Sequence, residues 1–145
     1  MTRTISFNKA DATVVLGNRV ALKSFIEKKV KKEGYTIDSL TYVFCSDKFI
    51  LKINQDFLSH NYYTDIISFD LSEIPGHLIG EVYISVDRVK DNAKTHGTTF
   101  KEELHRVIFH GALHFCGYKD KKPSDVKTMR QMEDRWLKAY LPNCK

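Results

Sequence analysis

His110-Gly111-Ala112-Leu113-His114-Phe115-Cys116-Gly117-Tyr118-Lys119-Asp120 is the stretch from which the rest of the chain can be read. Leu104, Val107 and Ile108 ahead of it and Leu113 within it recur at helical spacing, which predicts a helix. On that helix His110 and His114 stand one turn apart on one face. Two imidazoles so placed can share one metal ion. Gly117 predicts the helix end, because glycine takes the left-handed C′ conformation at little cost. The chain turns back there, and Asp120 arrives as a third candidate ligand. Three protein ligands with one position open is the arrangement of a catalytic zinc rather than a structural one. A histidine pair at i, i+4 on its own more often packs or faces solvent; the glycine stop and the carboxylate shift the balance toward metal. Gly111 occupies the place where the zinc-protease signature H-E-x-x-H carries its glutamate base, so a peptidase reading lacks that base.

Outward from this segment, Thr99-Phe100-Lys101-Glu102 is a capping box that opens the histidine helix. Pro123 and Ser124 open a last helix, in which Met129, Met132, Trp136, Leu137 and Tyr140 form an apolar stripe read as core. Upstream, residues 87–96 predict a short polar helix. Residues 79–86 alternate, with Val82, Ile84 and Val86 on one face and Glu81, Tyr83 and Ser85 on the other. Residues 65–70 predict another strand, and the turn-rich loop with Pro75 and Gly76 makes the two an antiparallel pair. Nearer the start, Ile5 and Phe7 mark a short strand. Leu16, Val20, Ile26 and Val30 mark a helix face ending before Gly34, and residues 40–45 a second strand. Ser46 caps a helix whose buried side is Phe49, Ile50, Ile53 and Phe57. Strands alternating with helices predict parallel pairing through crossovers. The expected fold is therefore mixed α/β. It has one small, mainly parallel sheet of about four strands with one antiparallel strand, covered by about five helices, with the metal site on a central helix.

The 145 residues suit one domain over 1–145, with enough chain to bury a core. No run is long and apolar enough for a membrane span or signal peptide. Cys45, Cys116 and Cys144 are odd in number and scattered, which fits a reducing cytoplasm without disulfides. Cys116 is close enough to His114 to compete as a ligand, but a small buried apolar residue is the simpler reading. His96 and His105 lack metal spacing and are read as exposed or satisfied histidines. The net charge of +5 permits a polyanionic partner without requiring one. Tyr62 and Tyr63 can stack on bases, with half-buried loop aromatics as the alternative.

The histidine stretch resembles the signature H-G-x-L-H-L-x-G-Y-D-H of the YbeY family, zinc-dependent bacterial endoribonucleases and rRNA maturation factors. Here Asp120 stands at the third histidine and Lys119 at the preceding aspartate. Thr64-Asp65-Ile66-Ile67-Ser68-Phe69 resembles that family's T-(D/N)-V-L-S-F. Gly80-Glu81-Val82-Tyr83-Ile84-Ser85 resembles its G-D-I-x-I-S. Asn54-Gln55-Asp56-Phe57 resembles its N-x-x-(F/Y)-R segment, with Leu58 in place of arginine. The resemblance runs from residue 53 to residue 136. It implies a single-strand-specific endoribonuclease acting in 16S rRNA processing, with ribosomal RNA and the small ribosomal subunit as partners. It implies no membrane and no small-molecule cofactor.

A zinc ion, one per chain, held by His110, His114 and Asp120 can acidify a water and neutralise charge on a phosphorane-like transition state. An aspartate in the third place adds negative charge and leaves that water less acidic than three neutral histidines would. Lys119, Lys121 and Lys122 flank the site as phosphate-binding candidates. Asp65, Glu81 and Glu103 are candidates for the general base. Glu103 and Asp65 are alternatively partners that orient a ligand from behind. The RNA's own 2′-hydroxyl is a second possible nucleophile. A non-catalytic ribosome-biogenesis factor with a structural metal is the competing function.

Overall fold

The structure, a computed structural model, describes residues 4–58 and 64–141. Tyr62, Tyr63 and Cys144 lie outside the described residues. The first strand, β1 (Ile5–Lys9), buries Ile5 and Phe7 as expected and pairs in parallel with β2 (Thr36–Cys45), Ile5 against Leu40 and Phe7 against Tyr42. Between them runs α1 (Arg19–Lys32), capped by the Asn18 side chain, which accepts from the Ala21 N–H at 3.0 Å. Its buried face is Leu22, Ile26 and Val30. Leu16 is buried ahead of the helix, but Val20 is 67% exposed, which corrects the expected stripe. Two residues apart on a helix is about 200° of rotation, so Val20 faces away from Leu22.

Strand β2 begins earlier than its apolar run indicates. Its polar first residues pair with the start of β4, and Ile37 is buried among them. Helix α2 (Asp47–Leu58) opens on Ser46, whose hydroxyl accepts from the Phe49 N–H at 3.2 Å. Ile50 and Ile53 are buried on it; Phe49 is half-exposed and Phe57 is 70% exposed, so neither completes the core face expected of it. Asn54 takes the buried place instead.

Strands β3 (Ile66–Asp70) and β4 (His77–Ser85) form the antiparallel pair. Strand β4 also pairs in parallel with β2, giving the order β1-β2-β4-β3. Val86, expected as the last strand residue, instead begins α3 (Val86–His96), and the Ser85 hydroxyl caps it by accepting from the Arg88 N–H. Helix α4 (Phe100–Phe115) crosses the sheet and α5 (Pro123–Tyr140) packs beside it, with Pro123 in the first turn, where its missing N–H costs nothing. The larger core lies between the sheet, α1, α4 and α5 and contains Leu22, Ile26, Phe109, Leu113 and Trp136. Burying each such side chain contributes about 1.5–3 kcal/mol. On the opposite sheet face α2 closes a smaller core of Cys45, Ile50, Ile53 and Ile67.

Two contacts show how closely α4 lies on the sheet. The buried Tyr42 hydroxyl donates to the Ile108 carbonyl at 2.8 Å. At Gly111 a Cβ would meet Val82 at 3.2 Å and Ile66 at 3.3 Å. The position expected to lack a glutamate thus lies against β-strands, with no room for a long side chain.

Candidate active site

Helix α4 starts on Thr99, whose hydroxyl accepts from the Glu102 N–H at 3.0 Å, as the capping box predicts. It stops at Gly117, where φ is +97°. The Gly117 N–H returns to the His114 carbonyl and the Tyr118 N–H to the Leu113 carbonyl, a Schellman pair that satisfies the helix end. This reversal carries Asp120 back, and its Oδ2 lies 3.2 Å from His110 Nε2. His114 is exposed one turn along. His110, His114 and Asp120 all line one open cleft of about 430 Å³, together with Lys121 and Leu58. Among the described residues, no group of three His, Cys, Asp or Glu side chains is already placed to hold a metal ion.

The other ring nitrogen of His110 meets a residue the sequence reading passed over. Nδ1 lies 2.7 Å from Glu133 Oε2 on α5. An ionised carboxylate only accepts, so Nδ1 carries the proton and Nε2 is turned toward Asp120. Glu133 is buried, and its Oε1 accepts from Arg106 Nη1 at 3.0 Å, while Arg106 Nη2 donates to Asp134 Oδ1 at 2.7 Å. Burial pulls the His110 pKa down. The Glu133 hydrogen bond and charge, with Asp120 and Asp65, outweigh it, and the net shift is upward. A signal for Glu133 was present: it stands four residues after Met129 and three before Trp136, a charge on the apolar stripe of α5.

A second cleft, about 410 Å³, adjoins the first through His110 and Asp120 and takes in Asp65, His96, Glu103, Arg106 and Glu133. Asp65 accepts from Asn92 Nδ2 at 3.3 Å, and burial raises its pKa, with His110 acting in the opposite direction. Glu103 is buried beside His96, at 3.7 Å, and Glu133 rather than Glu103 is the carboxylate on His110. Glu81 points to the other sheet face, where the Tyr83 hydroxyl donates to it, away from the histidines. Lys119, Lys121 and Lys122 are exposed on the bend after Gly117. His105 is buried, with Nδ1 2.7 Å from the Lys101 carbonyl, and His96 is exposed, as expected of both. Cys116 is buried, and burial followed by the charge of Glu33 pushes its thiol up to about 12, leaving it a protonated apolar side chain.

A mixed four-stranded sheet with a histidine–carboxylate cluster near the end of its central helix defines a small α/β protein with an open, polar site. The model of the family described as "Endoribonuclease YbeY" matches residues 5–141, and the chain belongs to that family. It is 50% identical to the Endoribonuclease YbeY of Cytophaga hutchinsonii over 92% of this chain and 94% of that protein. It is 41% identical to the Endoribonuclease YbeY of Flavobacterium johnsoniae over 94% and 96%. A solution structure from Thermotoga maritima matches with a TM-score of 0.64 and 28% identity, over 92% of this chain and 87% of the other. No helix among the described residues is long and apolar enough to cross a membrane.

Proposed function

We propose that this chain is a metal-dependent, single-strand-specific endoribonuclease of the cytoplasm that acts on ribosomal RNA in maturation and quality control of the small subunit. One zinc ion is held by His110, His114 and Asp120. The observation that carries the proposal is His110 fixed between Glu133 at 2.7 Å and Asp120 at 3.2 Å at the mouth of an open cleft. A carboxylate behind the ring leaves Nε2 with its lone pair outward, the arrangement found behind zinc-bound histidines. The donors, two imidazoles and one carboxylate, suit zinc. His114 is exposed, so its ring can turn without disturbing the core. The relatives' shared name supports the reaction class.

When bound, the ion would supply an acidified water and neutralise charge on the attacked phosphate. The chain's own residues do the rest. Glu133 holds the His110 proton at Nδ1. Asp65 and Glu103, both lining the adjoining cleft, are the candidate carboxylates for the base; burial raises the Asp65 pKa and His110 opposes it. Lys121 at the cleft wall, with Lys119 and Lys122 on the same bend, concentrates a polyanion. A 2′-deoxy nucleotide at the cleavage position separates the two nucleophiles, since attack by the 2′-hydroxyl stops and attack by water does not.

The test is elemental analysis of the purified protein with RNA cleavage measured with and without chelator. Zinc is expected at one per chain, and His114→Ala is expected to lose both metal and cleavage; cleavage that persists without metal would refute the reading. Leu58, in the cleft wall without a charge, is the observation that favours a non-catalytic RNA-binding factor. That reading predicts salt-sensitive RNA binding that survives chelation, with no turnover.

A further inference from the structure

The two clefts that meet at His110 and Asp120 share Thr64 and Ile66 as well, so they form one groove open on both sides of that pair. The two sides differ in charge. On the α2 side Lys121 supplies a cation. On the α5 side the wall carries Asp65, Glu103 and Glu133, and a phosphate entering there is repelled unless a cation meets it.

Two guanidiniums line that wall. Arg106 is 14% exposed, and Glu133 and Asp134 engage it at 3.0 Å and 2.7 Å. Arg130 is 51% exposed, and among the described residues its one ion pair is a 3.7 Å approach of Nη1 to Glu133 Oε1, beyond hydrogen-bond reach. Its fork of donors is therefore open to the groove. A planar fork matches two oxygens of one phosphate, which a lysine cannot do. An exposed i, i+3 pair at this separation contributes little to stability, so the guanidinium is not needed to hold α5 in place.

We propose that Arg130 is the phosphate clamp on the α5 side of the groove. It takes a phosphodiester group of the RNA strand on the opposite side of the His110–Asp120 pair from Lys121. The inference rests on the endoribonuclease reading and adds to it a strand gripped from both sides, one clamp from the bend after α4 and one from α5.

The experiment compares the full, metal-loaded chain with Arg130→Ala and Arg130→Lys on a short single-stranded RNA. Arg130→Ala is expected to raise KM about fivefold with kcat held, and to make the log–log salt dependence of binding shallower by about 0.7. Metal content and Tm are expected to stay as in the unaltered chain. Arg130→Lys is expected to recover part of the binding. Unchanged KM and salt slope, in a preparation whose unaltered chain cleaves RNA, overturn the clamp and leave the endoribonuclease reading intact. Loss of metal in Arg130→Ala also overturns it, because the residue would then be acting through Glu133 on His110. An unaltered chain that neither binds nor cleaves RNA overturns both readings together.

Discussion

Glu133 sets the orientation of His110, and its neutral isostere tests that role. Glu133→Gln keeps the shape but removes the charge from both Arg106 and His110. Metal affinity, read by chelator competition, is expected to fall about 10- to 100-fold. Stability is expected to fall by about 1.5–3 kcal/mol, since the lost hydrogen bonds involve charged groups. Unaltered metal affinity would show that the imidazole orients itself. His105 gives a pH test away from the site. Burial lowers its pKa from 6.5, with the Lys101 carbonyl opposing, so the folded state favours the neutral ring. Its contribution is complete above the ordinary value and is lost as pH falls from there through the depressed one, about 1.4 kcal/mol for each unit of depression. Melting at pH 7.5 and pH 5 is expected to show a larger acid loss in the unaltered chain than in His105→Gln; equal losses would remove His105 from the account. The two histidines and Asp120 were legible because their spacing and the glycine stop are local. Glu133 was not, because its partner lies 23 positions away and only the packing of α5 on α4 brings them together.

The ends of α4 were readable and the faces of α1 and α2 were not, for the same physical reason. A cap such as Thr99 and a stop such as Gly117 act within a few residues. Which side of a helix is buried depends on the neighbour, and Val20 and Phe57 are apolar residues that the neighbours leave in solvent. The start of β2 was missed because Asp38 and Ser39, which have little strand preference, separate Thr36 and Ile37 from the apolar run, and pairing with β4 carries the strand through that irregularity. Close packing of α4 on the sheet has a direct test at Gly80. A Cβ there would meet Phe115 Cζ at 2.5 Å, and Phe115 is buried with little room to withdraw. Gly80→Ala is expected to cost about 1–3 kcal/mol, seen as a lower Tm. A Tm equal to that of the unaltered chain would mean that the ring moves freely. Tyr42→Phe removes the hydrogen bond to Ile108 and is expected to cost about 0.5–1.5 kcal/mol by the same measurement.

Across the whole molecule, the topology was legible in outline because the alternation of strands and helices admits few arrangements. The unequal division of the core was not, since it depends on which side chains α2 leaves outside. Helix α2 and the edge strand β3 share the smaller core, whereas α1, α4 and β2 share the larger. Native-state hydrogen exchange is expected to open α2 and β3 before α4 and β2; uniform protection would contradict the two-core account. The shared carboxylate of Glu133 reaches further. Arg106 and His110 are successive rungs on α4, and one side chain of α5 grips both. Sliding α5 by a single residue, about 1.5 Å, would release both rungs at once. The two helices are thus geared together: a residue added or removed inside α5 between Pro123 and Glu133 unmeshes both rungs, whereas the exposed bend at Lys121 and Lys122 can take up a change of length without moving either.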